Sequence, residues 1–238
     1  MLERLDARGS GTKARPAAPA CFVAFDLLAL GEVDLRPAGF GERRRQLAGA
    51  VSSDTQLVVT PQTQDPEIAR GWVEDLGDRG FEGIVAKQTC LPYRSGKRAM
   101  VKVKRWRSAD LVVGGYLGPP GDPWSLLLGV YDGQGVLHHV GQTVVFSPRE
   151  RVALRARLAS LEGGRSFGGG LMPGLSRWEP QRFDSWVPLT PALVCEVDFS
   201  ALDGRRFRHS ARFIRWRPDK DPSDCTYREL PPLQSSVS

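Results

Sequence analysis

Residues 21–30 read CFVAFDLLAL, a continuous apolar run interrupted only by Asp26. A run of this kind predicts a strand that is buried on both faces. The segments that follow it predict two helices and three more strands, at 42–51 and 65–77 for the helices and at 56–60, 80–87 and 100–106 for the strands. The mixture of helices and strands indicates an α+β domain over residues 20–108, preceded by a Pro- and Gly-rich linker at 1–19 that we expect to be disordered.

From residue 109 the pattern changes to short apolar strands at hairpin spacing, LVVGGYLG, WSLLLGVYD and VLHHVGQTVV. A helix follows, because Ser147, Pro148 and Glu150 form the N-terminal signature of a capping box. Two more strands then come, ALVCEVDFS and RRFRHSARFIRWR. Five strands with a helix between the third and the fourth predict an OB-fold β-barrel over 109–228, with a disordered tail at 229–238.

The positive charge of the chain is concentrated in two segments. The whole sequence holds 33 basic and 27 acidic side chains, a formal net charge of +6. Residues 91–108 contain seven basic residues and no acid, and residues 205–220 contain seven basic residues and one Asp, so together they carry +13 and leave −7 elsewhere. Because Trp, Phe and Tyr are interleaved with these basic residues, the two segments favour a polyanionic partner.

Composition excludes several other classes of protein. No apolar stretch approaches the roughly 18 residues that a membrane span requires, so no membrane partner is expected. The N-terminal residues lack the apolar core of a secretory signal, and the four cysteines are too scattered for a disulfide framework or a zinc site. These observations predict a cytoplasmic protein.

Four short segments carry residues that suit chemistry at a phosphate, and each also has a purely structural interpretation. In AFDLL, the structural interpretation of Phe25 is a core aromatic and that of Asp26 a polar residue at the end of a strand. Glu82 in FEGIVAK interrupts an apolar strand entry, and it needs solvent, a partner or a metal ion. Lys102 and Lys104 share one face of a strand, which is either solvated or binds phosphate oxygens. The segment RFIRWRPDK at 212–220 is either a solvated edge strand or a phosphate-binding strand.

Taken together and in this order, FDLL, EGxVxK, KVK, an OB-like region and RxDK resemble the motifs of the ATP-dependent DNA ligases. That family belongs to the covalent nucleotidyltransferase superfamily, which also contains RNA ligases and mRNA capping enzymes. The phrases ARFIRWRPDKDP and DLVVGGYLG are most similar to the small bacterial ligases. The resemblance covers about residues 20–225 and identifies 20–108 as the C-terminal part of an adenylation domain.

The resemblance implies a nick-sealing activity in DNA repair and recombination that uses ATP and Mg²⁺, on nicked double-stranded DNA in the nucleoid. In such an enzyme a lysine receives AMP from ATP, and the AMP passes to the 5′-phosphate at the nick. Phe25 would stack on adenine, Glu82 would hold the metal, and Lys102 and Lys104 would contact the AMP phosphate. Arg217, Asp219 and Lys220 would orient the pyrophosphate. Phosphates of the DNA backbone would be contacted by four further arginines, Arg98, Arg105, Arg212 and Arg215.

Two motifs of the family are absent from the sequence. None of the six lysines is followed by x-Asp-Gly, and no acidic D-G-E segment precedes the FDLL strand. The adenylation domain is therefore expected to be incomplete in this chain, which offers no lysine nucleophile, so its classification as an enzyme stays open. One hypothesis is a ligase portion completed by a second polypeptide and unable to adenylate itself alone. The other is a non-catalytic DNA-binding module built on the OB fold.

Overall fold

The computed structural model describes residues 22–51, 57–75, 82–168 and 186–231. The chain divides into two compact units. The first consists of residues 1–72 and 84–103, and the second of residues 73–83 and 104–238. No helix in the described ranges is long and apolar enough to cross a membrane. The linker that the sequence predicts at 1–19 lies outside the described residues.

The first half of the chain forms short strands around two helices. Three pairs of strands are present in the described residues: β1 with β4 in parallel, β2 with β3 antiparallel, and β5 with β6. The elements in chain order are β1 (Phe22–Ala24), β2 (Ala29–Leu30), β3 (Val33–Asp34), α1 (Phe40–Ala50), β4 (Leu57–Val59), α2 (Pro66–Asp75), β5 (Gly83–Lys87) and β6 (Met100–Lys104).

The prediction of one long buried strand at 21–30 is wrong. In its described part the segment forms two separate short strands, Phe22–Ala24 and Ala29–Leu30, and the side chains of Phe22 and Val23 are exposed. The chain leaves the strand at Phe25 because the Asp26 carboxylate accepts the N–H of Leu27, and it then enters the β2–β3 hairpin, which turns at Gly31 with φ of 57°. Since glycine adopts positive φ without strain, this hairpin turn is readily formed.

The second unit contains a five-stranded antiparallel sheet in the order β13, β10, β7, β8, β9. Helix α3 lies between the third and fourth of these strands in the sequence, as predicted, and the Ser147–Glu150 capping box at its start is confirmed. The elements are β7 (Arg107–Leu117), β8 (Ser125–Tyr131), β9 (Leu137–Gln142), α3 (Pro148–Leu158), β10 (Trp186–Phe199), β11 (Leu202–Asp203), β12 (Arg206–Phe207) and β13 (Arg212–Trp216), with short 3-10 turns at Ala159–Leu161, Pro222–Asp224 and Tyr227–Glu229.

The two edges of this sheet approach each other beyond the ends of β9 and β13. The Val144 N–H donates to the Ala211 carbonyl at 2.7 Å, and the Ala211 N–H donates to the Gln142 carbonyl at 2.8 Å. In the described ranges this contact is an isolated bridge, and the strands do not form a closed sheet. The fold is therefore a mixed α/β structure with a curved antiparallel sheet.

Residues 229 and 230, which the sequence assigns to a disordered tail, are held by the second unit. Glu229 ends a 3-10 turn and accepts a hydrogen bond from Lys220, and Leu230 is buried. The anchoring contact joins residues nine positions apart, so composition gives no local sign of it. The remainder of the predicted tail, from residue 232, lies outside the described residues.

Two glycines on neighbouring strands make room for the ring of Phe167. A Cβ added to Gly114 on β7 would lie 2.5 Å from Cζ of Phe167, and one added to Gly129 on β8 would lie 2.8 Å from Cε1. The ring also packs against His139, with the ring centroids 5.3 Å apart, and against Trp186, at 5.9 Å. Because the ring has neighbours on these other sides, it cannot move away without losing contacts.

Replacement of Gly114 by Ala should lower the free energy of unfolding by about 1–3 kcal/mol, because the added methyl group overpacks the site under Phe167. The measurement is urea denaturation followed by fluorescence. Gly133→Ala is the matched control, since an added Cβ there meets no atom within 4 Å. Equal losses in the two variants would contradict this packing role of Gly114.

Candidate nucleotide and phosphate site

A buried ion pair in the first unit joins Arg43 to Asp26, the residue that follows Phe25. Arg43, on α1, donates from Nε to Asp26 Oδ1 at 2.9 Å and from Nη2 to Oδ2 at 3.1 Å. The two side chains are only 3% and 8% exposed. Arg43 also donates to the carbonyl of Ala38 at 2.6 Å. A forked pair of this kind fixes the direction of a carboxylate as well as its charge.

Lys87, the last residue of β5, completes this group. Its ammonium lies 3.3 Å from Asp26 Oδ2. It also lies 4.4 Å from the centroid of the Phe40 ring and 5.4 Å from that of Phe25, within the range of cation–π attraction. The structure thus places a cation beside a ring that is 63% exposed. Such a pair can present a stacking surface and a positive charge to a single ligand.

Arg44, the residue after Arg43 on α1, holds the backbone at Phe25 and at Thr60. Its Nη1 donates to the carbonyl of Phe25 at 3.2 Å, and its Nη2 donates to the carbonyl of Thr60 at 2.6 Å. Arg44 is 5% exposed, and burial lowers the pKa of its guanidinium. Two consecutive buried arginines therefore hold two consecutive residues, Phe25 through its carbonyl and Asp26 through its carboxylate.

Glu82 and Lys104 meet in the second unit. Lys104 Nζ donates to Glu82 Oε2 at 2.8 Å, and Arg208 Nη1 donates to Glu82 Oε1 at 2.8 Å. The hydrogen bond from Lys104, opposed by burial and aided by the charge of Arg208, holds the pKa of Glu82 below its usual value. Lys102 is exposed on β6, two positions before Lys104.

A role in holding a divalent metal stays a prediction for Glu82. Both of its carboxylate oxygens accept hydrogen bonds from cationic side chains. In the described ranges there is also no group of three or more His, Cys, Asp or Glu side chains that could hold a metal ion. In this structure Glu82 is the anionic partner of Lys104 and Arg208.

The RxDK residues are held by two carboxylates that the sequence did not single out. Arg217 Nη1 donates to Asp110 Oδ2 at 2.6 Å, and Lys220 Nζ donates to the same oxygen at 3.2 Å. Lys220 also donates to Glu229 Oε1 at 2.7 Å. Burial opposes the charge of Lys220, but the hydrogen bonds that it donates to Glu229 and Asp110 outweigh burial and raise its pKa. Hydrogen bonds from Arg217 lower the pKa of Asp219 to about 2.

The four arginines predicted to contact DNA occupy different surroundings. Arg98 is exposed in the loop between β5 and β6. Arg105 donates to the carbonyl of Glu74. The guanidinium of Arg212 lies over the ring of Trp106 at 4.9 Å, and Arg215 pairs with Glu196 at 2.7 Å. Of these, Arg212 combines exposure with an aromatic neighbour, an arrangement typical of nucleic-acid surfaces.

The structure brings Glu82 together with Lys104, and it brings Arg217 and Lys220 to a shared partner, Asp110. Sequence reasoning missed four partners that hold the candidate residues: Arg43, Arg44, Asp110 and Glu229. One sign of these partners was available in the sequence: Asp26 is an acid within an apolar run, and it therefore needs a partner. This sign did not indicate which arginine of the run ERRR at 42–45 turns inward.

Comparisons with known proteins agree with these motifs. A family model described as "ATP dependent DNA ligase domain" matches residues 3–104, and one described as "ATP dependent DNA ligase C terminal region" matches residues 121–220. The chain therefore belongs to the family of ATP-dependent DNA ligases, and the resemblance inferred from its motifs is confirmed.

Individual relatives are similar over most of the chain. DNA ligase C1 of Mycolicibacterium smegmatis is 39% identical over 95% of this chain and 69% of its own length. DNA ligase C of Mycobacterium tuberculosis is 39% identical over 92% of this chain and 67% of its own length. A solved structure designated Pmar-Lig_Pre has a TM-score of 0.55 at 15% identity, covering 91% of this chain and 48% of that one, a likeness of fold alone.

Replacement of Asp26 by Asn should destabilise the protein by about 3 kcal/mol at neutral pH, because it leaves Arg43 buried without its counter-charge. Burial tends to raise the pKa of Asp26, but hydrogen bonds from Arg43 and Lys87 outweigh this and hold it below the ordinary value of 3.8. The stabilisation is thus present above about pH 4 and disappears as the pH falls through the folded-state pKa. Urea denaturation at pH 7 and near pH 3 measures it.

Asp34→Asn serves as the control for this prediction, because Asp34 forms an exposed pair with Arg36 and its loss should have little effect. The difference between wild type and Asp26→Asn should shrink at the lower pH. A difference that stays the same at both pH values would show that the charge of Asp26 is not what Arg43 requires.

Proposed function

We propose that this chain is the nucleotide- and DNA-handling portion of a nick-sealing ligase, which acts on nicked double-stranded DNA of the nucleoid through an AMP intermediate. One observation carries the proposal: the ring of Phe25 is 63% exposed, although its backbone carbonyl is held by the buried Arg44. An exposed ring on a fixed backbone, next to the cation of Lys87, suits a purine base followed by phosphates.

The proposed roles follow from the motif positions. Phe25 stacks on adenine, and Lys102 and Lys104 contact the phosphate of AMP. Arg217 and Lys220 orient the pyrophosphate, while Asp219, bonded to two nitrogens of Arg217, keeps that guanidinium in place. ATP is the proposed nucleotide because the family is ATP-dependent. Mg²⁺ is proposed on the same family ground, with Glu82 as its proposed ligand when a phosphate takes the place of that carboxylate at Lys104.

We place the attacking lysine outside these 238 residues. Adenylate transfer requires an amine nucleophile, and none of the six lysines lies in a K-x-D-G segment. The segment that carries it belongs either to another part of the same polypeptide or to a second polypeptide. Several apolar side chains on strands of the first unit are exposed and suit the packing of such a segment, namely Phe22, Val58, Val85, Val101 and Val103.

The isolated 238-residue chain should therefore form no covalent adenylate with ATP labelled on its α-phosphate. The measurement is gel electrophoresis after denaturation, with an intact relative that contains the K-x-D-G lysine as the positive control. A labelled band that survives denaturation would mean that one of the six lysines is a nucleophile and would overturn this assignment.

For DNA, we propose that the curved sheet of the second unit is an OB-type barrel whose basic surface follows the phosphate backbone. Three arginines of this unit stack on aromatic rings: Arg212 on Trp106, Arg157 on Trp216 and Arg205 on Tyr227. Stacking restrains an exposed guanidinium without neutralising it, so its N–H donors remain charged for phosphate. These contacts also support the second candidate function, a non-catalytic DNA-binding module.

Binding to nicked duplex DNA should weaken steeply with added salt, because each phosphate contact releases a counterion. Arg212→Gln should weaken binding severalfold at low salt and reduce the slope of log K against log salt by about one. Fluorescence anisotropy measures both quantities. Arg70→Gln is the control, because Arg70 is exposed and paired with Glu67 on α2. A slope that Arg212→Gln leaves unchanged would contradict the assigned DNA surface.

A further inference from the structure

We infer that Arg44 is a positioning residue for the base-stacking ring of Phe25 and that it contributes to the selection of an adenine nucleotide without touching it. This inference rests on the proposed function, because it assigns a means of recognition to the same nucleotide site. It concerns the buried side of the turn, where the Arg44 guanidinium donates to the carbonyl of Phe25.

The first support is the number of hydrogen bonds that Arg44 makes. Its Nε donates to Gln62 Oε1 at 2.9 Å, and its Nη1 donates to Thr60 Oγ1 at 3.2 Å. With the bonds to the carbonyls of Phe25 and Thr60, all three guanidinium nitrogens are engaged. A buried arginine is tolerated only when it is bonded in this way.

The second support is what these bonds connect. The Thr60 N–H donates to the carbonyl of Ala24 at 2.9 Å, which extends the parallel pairing of β1 with β4 by one step. Arg44 binds the carbonyl of Phe25, the residue after β1, and the carbonyl of the same Thr60, the residue after β4. The guanidinium thus connects the two backbone segments one residue beyond the ends of β1 and β4. It fixes the backbone from which the Phe25 ring projects.

The third support is the exposure of the ring. A phenylalanine ring that is packed into a core is held by its neighbours, but the Phe25 ring is 63% exposed. The ammonium of Lys87 lies 5.4 Å from the centroid of the ring. Because most of the ring is exposed, the point from which it projects is set by the backbone, whose carbonyl is held by Arg44.

Lysine cannot replace this function. An ammonium group is a point charge on a flexible stem, and it lacks the planar fork that reaches three acceptors in fixed directions. Arg44→Lys therefore retains the charge while releasing part of the turn. The expected defect is in base recognition and not in the attraction of phosphates.

The test compares two ligands on the full 238-residue chain by isothermal titration calorimetry: ATP, and inorganic tripolyphosphate, which has the phosphates but no base. Arg44→Lys should weaken ATP binding about tenfold, the scale of one base–aromatic stack, and leave tripolyphosphate binding nearly unchanged. Phe25→Ala should have the same selective effect. Arg45→Lys, at an exposed position of α1 paired with Glu42, is the matched control and should change neither affinity.

The double variant Arg44→Lys with Phe25→Ala separates positioning from a general structural role. If Arg44 acts through the ring, the double variant should bind ATP no more weakly than Phe25→Ala alone. Additive losses, or equal losses for ATP and tripolyphosphate, would overturn the positioning role. Unchanged ATP binding in Arg44→Lys would overturn it while leaving the proposed nucleotide site intact.

Two further outcomes are decisive. If the unaltered chain binds ATP no more tightly than tripolyphosphate, the proposed base site is wrong and the role of Arg44 falls with it.

If Arg44→Lys does not fold, as judged by circular dichroism, Gln62→Ala replaces it, because this change at an exposed side chain removes only the acceptor of Nε. It should give a smaller loss with the same preference for ATP, and an unchanged ratio of the two affinities would overturn the inference.

Discussion

The antiparallel pairing of β7 with β10 is the constraint on which the second unit depends. It runs from Trp186 opposite Leu117 to Phe199 opposite Arg107, with one irregularity between Pro188 and Leu193. Because these strands occupy the middle of the sheet, their register determines which side chains reach the core and which reach Arg217 and Lys220. A slip of one residue would turn Asp110, which is 8% exposed, to the other face and remove its contact with the RxDK residues.

The first unit is held together by a different balance of forces. Between residues 22 and 103 the buried apolar side chains in the described ranges are few, Ala24, Leu35 and Leu47, and they are joined by the buried Arg43 and Arg44. Buried ion pairs add little net stability, but loss of one partner is costly because the other remains buried. The Phe25–Asp26 turn is thus specified by hydrogen-bond direction more than by burial of apolar surface.

Features with a local signal could be predicted from the sequence, and features that depend on distant partners could not. The capping box of α3 lies within four consecutive residues and was predicted with its roles. The strand at 21–30 was extended too far, because the partner of Asp26 is 17 positions away on α1. Likewise, the burial of Arg43 and Arg44 has no local sign, since a run of arginines on a short helix is typical of a solvated face.

The structure changes the interpretation of the positive charge in the two basic segments, 91–108 and 205–220. Lys104, Arg217 and Lys220 are paired with carboxylates of Glu82, Asp110 and Glu229, so much of the formal charge is compensated within the fold. A phosphate ligand that binds these cations exchanges one set of anionic oxygens for another, and the cations are never left without a counter-charge. A ligand with several oxygens can replace several carboxylate contacts at once, whereas a small monovalent anion cannot. In the proposed function, the carboxylates therefore orient the cations beforehand and favour a polyphosphate over simple anions.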